Sequence, residues 1–177
     1  TYYPTDYGID SDGTKAKRLN IAPFQPGEKG IQIRNTNWRK DIQEQVTSFE
    51  PDLIALSTTE DMWLLGVRLL EAMEEYIKHN KTPIIAGGVF PTFAPDLVIK
   101  QRLVDMVCVG EGENAMIDLC ERLEKGNPFD DVTNLWVKQR DGEIVKNPIS
   151  KSFDINKTPI IDIDLFEEQR LYRPMAG

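Results

Sequence analysis

Three apolar runs in this chain each end in a short polar or glycine-rich segment, and this repeated arrangement constrains the fold more than any other feature. These segments, which we call the first, second and third strand tips, are Ser57-Thr58-Thr59 after Leu53–Leu56, Gly87-Gly88 after Pro83–Ala86, and Gly110-Glu111-Gly112-Glu113 after Asp105–Val109. In an open parallel sheet the ligand lies beyond the carboxyl ends of the strands. The sequence therefore predicts a ligand-binding α/β domain whose three tips meet at one edge.

Helical patterns fill the intervals between these runs. Four consecutive apolar residues at 53–56 predict a first strand that is buried on both faces. Predicted helices comprise one with Trp38, Ile42, Val46 and Phe49 on its apolar face, one capped near Thr59 or Asp61 with Met62, Leu65, Leu69, Leu70, Met73 and Ile77 on its apolar face, and two more over Pro95–Arg102 and Asn114–Glu124. Strands that alternate with helices predict a doubly wound parallel sheet.

The pattern changes after residue 127. Two extended runs, Asn134–Lys138 and Glu143–Lys146, flank Asp141-Gly142, a dipeptide favoured in two-residue hairpin turns. We expect an antiparallel hairpin appended to the sheet. We divide the chain into an irregular segment at 1–36, an α/β domain with its hairpin at 37–147, and an extended segment at 148–177 that is typical of a linker to a further domain. The irregular opening suggests that the first βαβ elements of the sheet lie upstream of this sequence.

Length and charge narrow the possible functions. The chain has 177 residues, which suits one domain, and 29 acidic against 21 basic residues give a formal net charge of -8. Such a charge repels nucleic acids and anionic membranes. Its longest apolar runs are far shorter than the roughly 20 residues that span a bilayer, and no secretory signal is visible. We therefore expect a cytoplasmic protein that binds neither nucleic acid nor membrane.

No set of catalytic residues is evident. Cys108 in a predicted strand and Cys120 on the apolar side of a predicted helix are expected to be unreactive core thiols. His79 follows a helix that leads into a strand, so we expect it on the opposite rim, exposed and far from the tips. The sequence contains no serine–histidine–carboxylate set, no CxxC pair and no phosphate loop with a lysine. We assign no catalytic residue and no metal ligand.

Each tip by itself admits two interpretations. The hydroxyls of the first tip suit either a ligand or helix capping, and the second tip suits either close approach of a ligand or a tight turn. The third tip begins like a dinucleotide fingerprint, but Ala115 stands where the third glycine is needed and two glutamates would repel phosphates, so we reject a dinucleotide site. Those glutamates suit Mg²⁺, or simply the amino-terminal end of a helix.

Taken together, three segments resemble the cobalamin-binding (vitamin B12-binding) domain that precedes radical S-adenosylmethionine enzymes. They are Pro51–Ser57, Ile85–Thr92 and Val104–Glu113, in this order and spacing. The resemblance extends over about residues 38–140 and weakly to Phe166. It implies a flavodoxin-like, Rossmann-type fold, with cobalamin lying across the carboxyl ends of the strands.

The resemblance also implies roles for individual residues. Ser57, Thr58 and Thr59 would contact the nucleotide tail or the corrin side chains. Gly87, Gly88 and Val89, with Pro91 and Thr92 beyond them, would leave room for those groups. Gly110, Glu111, Gly112 and Glu113 would border the dimethylbenzimidazole pocket. These twelve residues are the predicted cofactor site.

The chain departs from the wider family in that the family's first strand, helix and second strand are not recognisable in it, and in that one histidine motif is missing. It lacks the Asp-x-His-x-x-Gly run whose histidine ligates cobalt in some members, so no histidine here is expected to coordinate the metal. It also lacks the cysteine triplet that binds the 4Fe–4S cluster, so S-adenosylmethionine and that cluster would belong to a radical domain further along the same polypeptide.

We therefore predict an accessory domain of a larger methyltransferase or oxidative cyclase, related to the anaerobic magnesium-protoporphyrin ester cyclase. The alternatives are a receiver-like signalling domain, which would need a phosphoacceptor aspartate at a strand end, and a protein-interaction domain without cofactor.

Overall fold

A computed structural model of the chain describes residues 34–165. Contacts within it define two units, of which the larger is Arg39–Phe153. The described part of the smaller unit comprises residues 34–38 and 154–165, with short 3₁₀ turns at Ile155–Lys157 and Ile163–Leu165. The first of these turns begins at Asp154, whose side chain accepts a hydrogen bond from the Asn156 N–H at 3.1 Å. The predictions for residues 1–33 and 166–177 fall outside the described residues.

Helices and strands alternate along the described chain. In order they are α1 (Trp38–Phe49), β1 (Ile54–Ser57), α2 (Trp63–Ala72), α3 (Glu74–Asn80), β2 (Ile84–Gly87), α4 (Val89–Phe93), α5 (Pro95–Val98), β3 (Met106–Cys108), α6 (Glu113–Lys125), β4 (Leu135–Lys138) and β5 (Ile144–Lys146). Within residues 34–165 no helix has the length and apolar character needed to cross a bilayer.

The five strands form one mixed sheet in the order β1-β2-β3-β4-β5. β1, β2 and β3 are parallel, with Ser57 opposite Gly87 and Ala86 opposite Val107. β4 pairs antiparallel with β3, and β5 with β4. The appended hairpin is therefore confirmed, although its turn has three residues, Arg140 to Gly142, with Gly142 at a φ of 90°. A glycine in this conformation is typical of three-residue hairpin loops.

Helices cover both faces of the sheet. On one face α2 packs so closely on β1 that a Cβ at Gly66 would lie 2.9 Å from Leu56 Cδ1. On the other face Ala115 and Leu119 of α6 pack with Ile85, Met106, Cys108 and residues of β4 in the main core cluster. Because Leu56 is in register with Ala86, the neighbour of Ile85, the two helices lie on opposite faces. The predicted fold class, a flavodoxin-like α/β sheet with an appended hairpin, is confirmed.

Several local predictions are wrong. The apolar face of the second helix continues through Met73, but the chain breaks there into α2 and α3. The predicted helix over Pro95–Arg102 ends at Val98, and the helix Val89–Phe93 was not predicted. Cys120 is exposed on the outer side of α6, whereas Cys108 is buried as expected.

The prediction that the first strand is buried on both faces is also wrong. In β1 the burial alternates, and Ala55 and Ser57 are exposed. Their partners in β2 are Ile85 and Gly87, and Ile85 packs against α6 in the main core cluster. In the described part of the chain this cluster includes no residue of β1, so α6 does not cover β1. β2, by contrast, is buried from Ile84 to Ala86. β1 is the edge strand of the described sheet, and its local sequence does not distinguish an edge strand from a central one.

Candidate functional site

The first two tips are joined by backbone hydrogen bonds. Ser57 and Gly87 are the last paired residues of β1 and β2. Beyond them the Thr58 N–H donates to the Gly87 carbonyl at 3.0 Å, and the Phe90 N–H donates to the Thr58 carbonyl at 3.3 Å. The parallel register is therefore continued past the strands, which fixes the first tip against the start of α4.

Gly88 is the residue that permits this contact. Its φ is 97°, and a Cβ there would lie 2.9 Å from the Thr58 carbonyl oxygen and 3.0 Å from the Thr58 nitrogen. A backbone approach this close, in a conformation that other residues rarely adopt, requires glycine. The missing side chain at Gly88 is therefore explained by the packing of the first tip, independently of any ligand.

The third tip is joined to the second through Thr92. The Gly110 N–H donates to Thr92 Oγ1 at 3.1 Å. Gly110 has a φ of 88°, and a Cβ built on it would meet only Ile149 Cγ2, at 3.8 Å. All three predicted tips therefore lie at the same edge of the sheet, as the parallel arrangement requires.

The three hydroxyls of the first tip have different environments. Thr58 is buried, and its hydroxyl donates to the Thr59 carbonyl at 2.8 Å. Thr59 is exposed and donates to Asp61 Oδ1. Ser57 is exposed, and among residues 34–165 its hydroxyl has no hydrogen-bond partner. Of the three, Ser57 is the one whose hydroxyl is available to a ligand.

Helix α2 begins later than expected. It starts at Trp63 with Met62 as its N-cap and no capping side chain, so the prediction of a cap near Thr59 or Asp61 is wrong. Because the Thr59 hydroxyl donates a hydrogen bond to Asp61 Oδ1, the two residues stabilise the turn before the helix instead. The ring of Trp63 packs against Phe90 of α4 with 5.6 Å between centroids. This aromatic contact is a further link between the first tip and the segment after the second.

Apolar side chains are exposed around the tips. Val89 is 60% exposed, Phe93 is 84% exposed and Ile149 is 65% exposed, whereas Pro91, in the middle of α4, is buried. Monomeric proteins seldom leave clustered apolar side chains in water without a functional reason. The edge therefore offers an apolar surface beside an exposed hydroxyl and glycine backbone.

The acidic third tip is not part of a cluster of three or more metal-ligating side chains in residues 34–165. In the described part of the chain no three histidine, cysteine or acidic side chains are close enough together to hold a metal ion. Glu111 accepts a hydrogen bond from the Phe153 N–H through Oε2. Burial, assisted by the charge of Glu113, raises the pKa of Cys108, which keeps this thiol protonated at neutral pH.

Sequence reasoning missed Asn134, which was assigned only to the hairpin. It is 2% exposed, has a φ of 70°, and its side chain hydrogen-bonds to the third tip and to the segment after β5. An asparagine as the first residue of the predicted extended run, a residue type that favours turns, was the available signal.

A cavity of about 440 Å³ lies elsewhere, at the amino ends of β1 and β2. Its lining comprises residues 50–52, Tyr76 and residues 80–83. His79 is nearby in the last turn of α3 and is exposed, on the rim opposite the tips as expected. None of the twelve predicted site residues lines this cavity.

Comparison with known families distinguishes the cobalamin-binding prediction from the receiver-like alternative. The family model described as the B12 binding domain matches residues 28–119, slightly more than half of the chain. The chain belongs to this family. Family membership supports the cobalamin prediction over the receiver-like alternative.

Similar proteins are much longer than this B12-binding domain. The 4′-phospho-dehydrooxetanocin synthase of Priestia megaterium is 27% identical over 127 residues, which is 69% of this chain and 17% of that protein. The anaerobic magnesium-protoporphyrin IX monomethyl ester cyclase of Rubrivivax gelatinosus is 25% identical over 146 residues, 76% of this chain and 25% of that protein. The chain thus spans about a quarter or less of the length of these relatives.

A solved structure shares the fold. The cobalamin-dependent S-adenosylmethionine radical enzyme OxsB, with aqua-cobalamin and S-adenosylmethionine bound, superposes with a TM-score of 0.56 at 24% identity. The superposition covers 64% of this chain and 16% of that one.

The edge of this B12-binding domain fits a corrinoid chemically. A corrinoid is a bulky ring with an apolar body and many amide side chains, so it needs both apolar surface and hydrogen-bonding groups. Val89 and Ile149 offer the former, and the Ser57 hydroxyl offers the latter. Gly110 adds backbone with open space where a side chain would otherwise stand.

Proposed function

We propose that this domain binds cobalamin at the edge formed by its three strand tips, and that it is the accessory domain of a larger radical S-adenosylmethionine enzyme. The observation that carries the proposal is the convergence of the tips, joined by the Phe90–Thr58 and Gly110–Thr92 hydrogen bonds, in a chain that belongs to the B12-binding family.

The proposed site consists of the twelve residues that the sequence predicted, with distinct tasks. Ser57 donates to or accepts from a polar group of the ligand, and Val89 supplies apolar contact. Thr58, Gly88, Pro91 and Thr92 hold the loops in place, since they are buried or engaged with the neighbouring tip. Gly110, Glu111, Gly112 and Glu113 form the border of the site at the third strand. Gly87 and Thr59 complete it.

The chemistry of the larger enzyme would lie outside these residues. Bound cobalamin supplies a redox-active cobalt centre, and S-adenosylmethionine with a 4Fe–4S cluster would be held by a radical domain of the same polypeptide. The similarity to the ester cyclase supports this assignment, and methyl transfer or oxidative cyclisation is the reaction class we propose. The acidic charge and the absence of a long apolar run in the sequence support a cytoplasmic location.

The proposal is tested by reconstitution. The purified protein is incubated with excess hydroxocobalamin, passed through a gel-filtration column, and its visible spectrum is recorded. We expect the corrin absorption bands to elute with the protein in a ratio near one to one. A protein peak without corrin absorbance would refute cobalamin binding.

A matched pair of variants locates the site. Ser57→Leu places a bulky side chain at the edge of the sheet that carries the three tips. Lys81→Leu makes an exposed change at the opposite edge, at the amino ends of β1 and β2, which we call the amino rim; Lys81 directly follows α3 there. We expect the first variant to lose bound corrinoid and the second to retain it. Equal retention by both would show that the ligand binds somewhere other than the tips.

A further inference from the structure

The segment between β5 and the end of the larger unit, residues 148–153, lies against the third tip. We call it the strap. The Ser150 N–H donates to Asn134 Oδ1 at 2.6 Å, and the Phe153 N–H donates to Glu111 Oε2. Ile149 lies beside Gly110, within contact distance of a Cβ built there. The strap is therefore attached to the tip edge at both of its ends.

Asn134 connects the strap to the third tip with all of its polar groups. Its Nδ2 donates to the Glu111 carbonyl at 2.7 Å, and its Oδ1 accepts from Ser150. Its main-chain N–H donates to the Pro148 carbonyl at 3.0 Å, and its carbonyl accepts from the Val109 N–H at 2.8 Å. Buried polar groups whose bonds are all made fix a single arrangement of the segments that they join.

The backbone conformation selects asparagine at this position. With a φ of 70°, residue 134 lies in the left-handed region, which asparagine and glycine adopt more readily than other residues. Glycine would satisfy the backbone but would lose both side-chain bonds. The bonds to Glu111 and Ser150 are therefore what distinguishes asparagine from glycine here.

From these contacts we infer that the strap is a fourth wall of the ligand site, with Ile149 contacting the ligand and Asn134 acting as a positioning residue. The inference rests on the proposed cobalamin site and extends it to residues that neither the tips nor the family resemblance indicates. Ile149 is 65% exposed although its two chain neighbours, Pro148 and Ser150, are both hydrogen-bonded to Asn134. An ordered, exposed isoleucine beside an open glycine is suited to contact an apolar ligand surface.

The test measures hydroxocobalamin affinity by equilibrium titration of the visible spectrum, at a temperature where each variant is folded by circular dichroism. Ile149→Ala is compared with Ile117→Ala, which changes an equally apolar side chain, 58% exposed, on the outer face of α6. We expect Ile149→Ala to weaken binding about tenfold, since loss of most of one apolar contact is worth roughly this much, and Ile117→Ala to leave it within about twofold.

A second pair tests the positioning role. Asn134→Gly removes both side-chain bonds but keeps the backbone conformation, whereas Asn147→Ala removes the two bonds that Asn147 makes to Asp130 and Leu135, away from the third tip. We expect Asn134→Gly to weaken binding about tenfold or more and to speed amide exchange of residues 110–113 and 150–153. Asn147→Ala, which removes as many bonds, should do neither.

The outcomes separate the two proposals. If the unmodified protein retains no corrinoid, the proposed function fails. If it binds, but Ile149→Ala and Asn134→Gly bind as tightly as their controls, the strap is not part of the site and this inference is wrong while the function stands.

Discussion

The sheet has a tip rim, which carries the three strand tips, and an amino rim, at the amino ends of the parallel strands. The two rims differ in how their polar groups are hydrogen-bonded. At the amino rim they are paired within the protein: Lys138 Nζ donates to the Gln101 and Val104 carbonyls at 2.9 and 2.7 Å, and Asp105 Oδ2 accepts from the Ile84 N–H at 2.8 Å. At the tip rim the loops are joined by backbone bonds and by the side chains of Thr92 and Asn134, while the Ser57 hydroxyl, glycine backbone and apolar side chains stay exposed.

The proposed binding site and the cavity of about 440 Å³ lie at opposite rims of the sheet. The 440 Å³ cavity is at the amino rim, where its lining is polar and charged. The tip rim exposes Val89 and Ile149 beside the Ser57 hydroxyl, and the family match includes its three tips. We therefore expect changes at the amino rim to alter stability without altering ligand binding, and changes at the tip rim to alter binding.

The largest effect is expected from Gly88→Ala at the tip rim. The new Cβ would meet the Thr58 backbone in a conformation unfavourable to alanine, which should cost about 2–5 kcal/mol of unfolding free energy and abolish cobalamin retention. Urea denaturation measures the first effect and gel filtration the second.

Gly142→Ala is the matched control, because its φ is 90° but a Cβ there would meet nothing within 4 Å. It should cost only about 1 kcal/mol and leave retention unchanged. Equal destabilisation by both changes would show that the contact between the first two tips is not tight in solution.

At the amino rim, Asp105→Ala removes the acceptor of the Ile84 N–H, which lies at a fully buried residue. An unsatisfied buried donor should lower the unfolding free energy by about 1–3 kcal/mol. Asp105→Asn keeps an acceptor oxygen and should lose less. Chemical denaturation checks both, and the cobalamin affinity of Asp105→Asn should match that of the unmodified protein. A lower affinity would contradict the separation of the two rims.

Val89→Asp places a charge on the proposed apolar surface. Because Val89 is 60% exposed, stability should change by no more than about 0.5 kcal/mol, while affinity should fall about tenfold. Phe49→Asp, at a residue 77% exposed before the amino end of β1, is the control and should leave affinity unaltered. If both variants bind like the unmodified protein, Val89 does not contact the ligand.

The smallest effect concerns pH. Hydrogen bonds from Arg102 and Lys78 lower the pKa of Glu74 from 4.5 to about 2. A carboxyl with a lowered pKa in the folded state contributes stability above its unfolded pKa and loses it as the pH falls. The stability difference between the unmodified protein and Glu74→Gln should therefore be constant above about pH 5.5 and shrink between pH 4.5 and 2. Thermal unfolding across this range measures it, and a difference independent of pH would show that the ion pair is not formed.

Local sequence patterns predicted most of the sheet and the position of the tips. Helix α1 spans Trp38–Phe49, as its apolar spacing indicated. β3 lies within the third apolar run, and β1 and β2 each extend one residue past theirs, to Ser57 and Gly87. The register of parallel strands then brings Ser57 and Gly87 together. These features depend on periodicity and on the rule that parallel strands share a carboxyl edge, both of which are readable from one sequence.

The remaining features depend on contacts between distant residues. Nothing near Met73 signals the break between α2 and α3, because the apolar pattern continues through it. The role of Asn134 depends on Glu111 and Ser150, which are 23 and 16 residues away. Similarly, Thr92 reaches Gly110 across 18 residues. Such partners are determined by the tertiary fold, so they were invisible to a local pattern.

Cobalamin binding at the tips is tested most directly by amide hydrogen exchange with and without hydroxocobalamin. We expect slower exchange on binding at residues 57–59, 87–92 and 110–113, with no change at residues 80–83 and 101–105 on the amino rim. Protection confined to the amino rim, in a protein that retains the corrinoid, would contradict it.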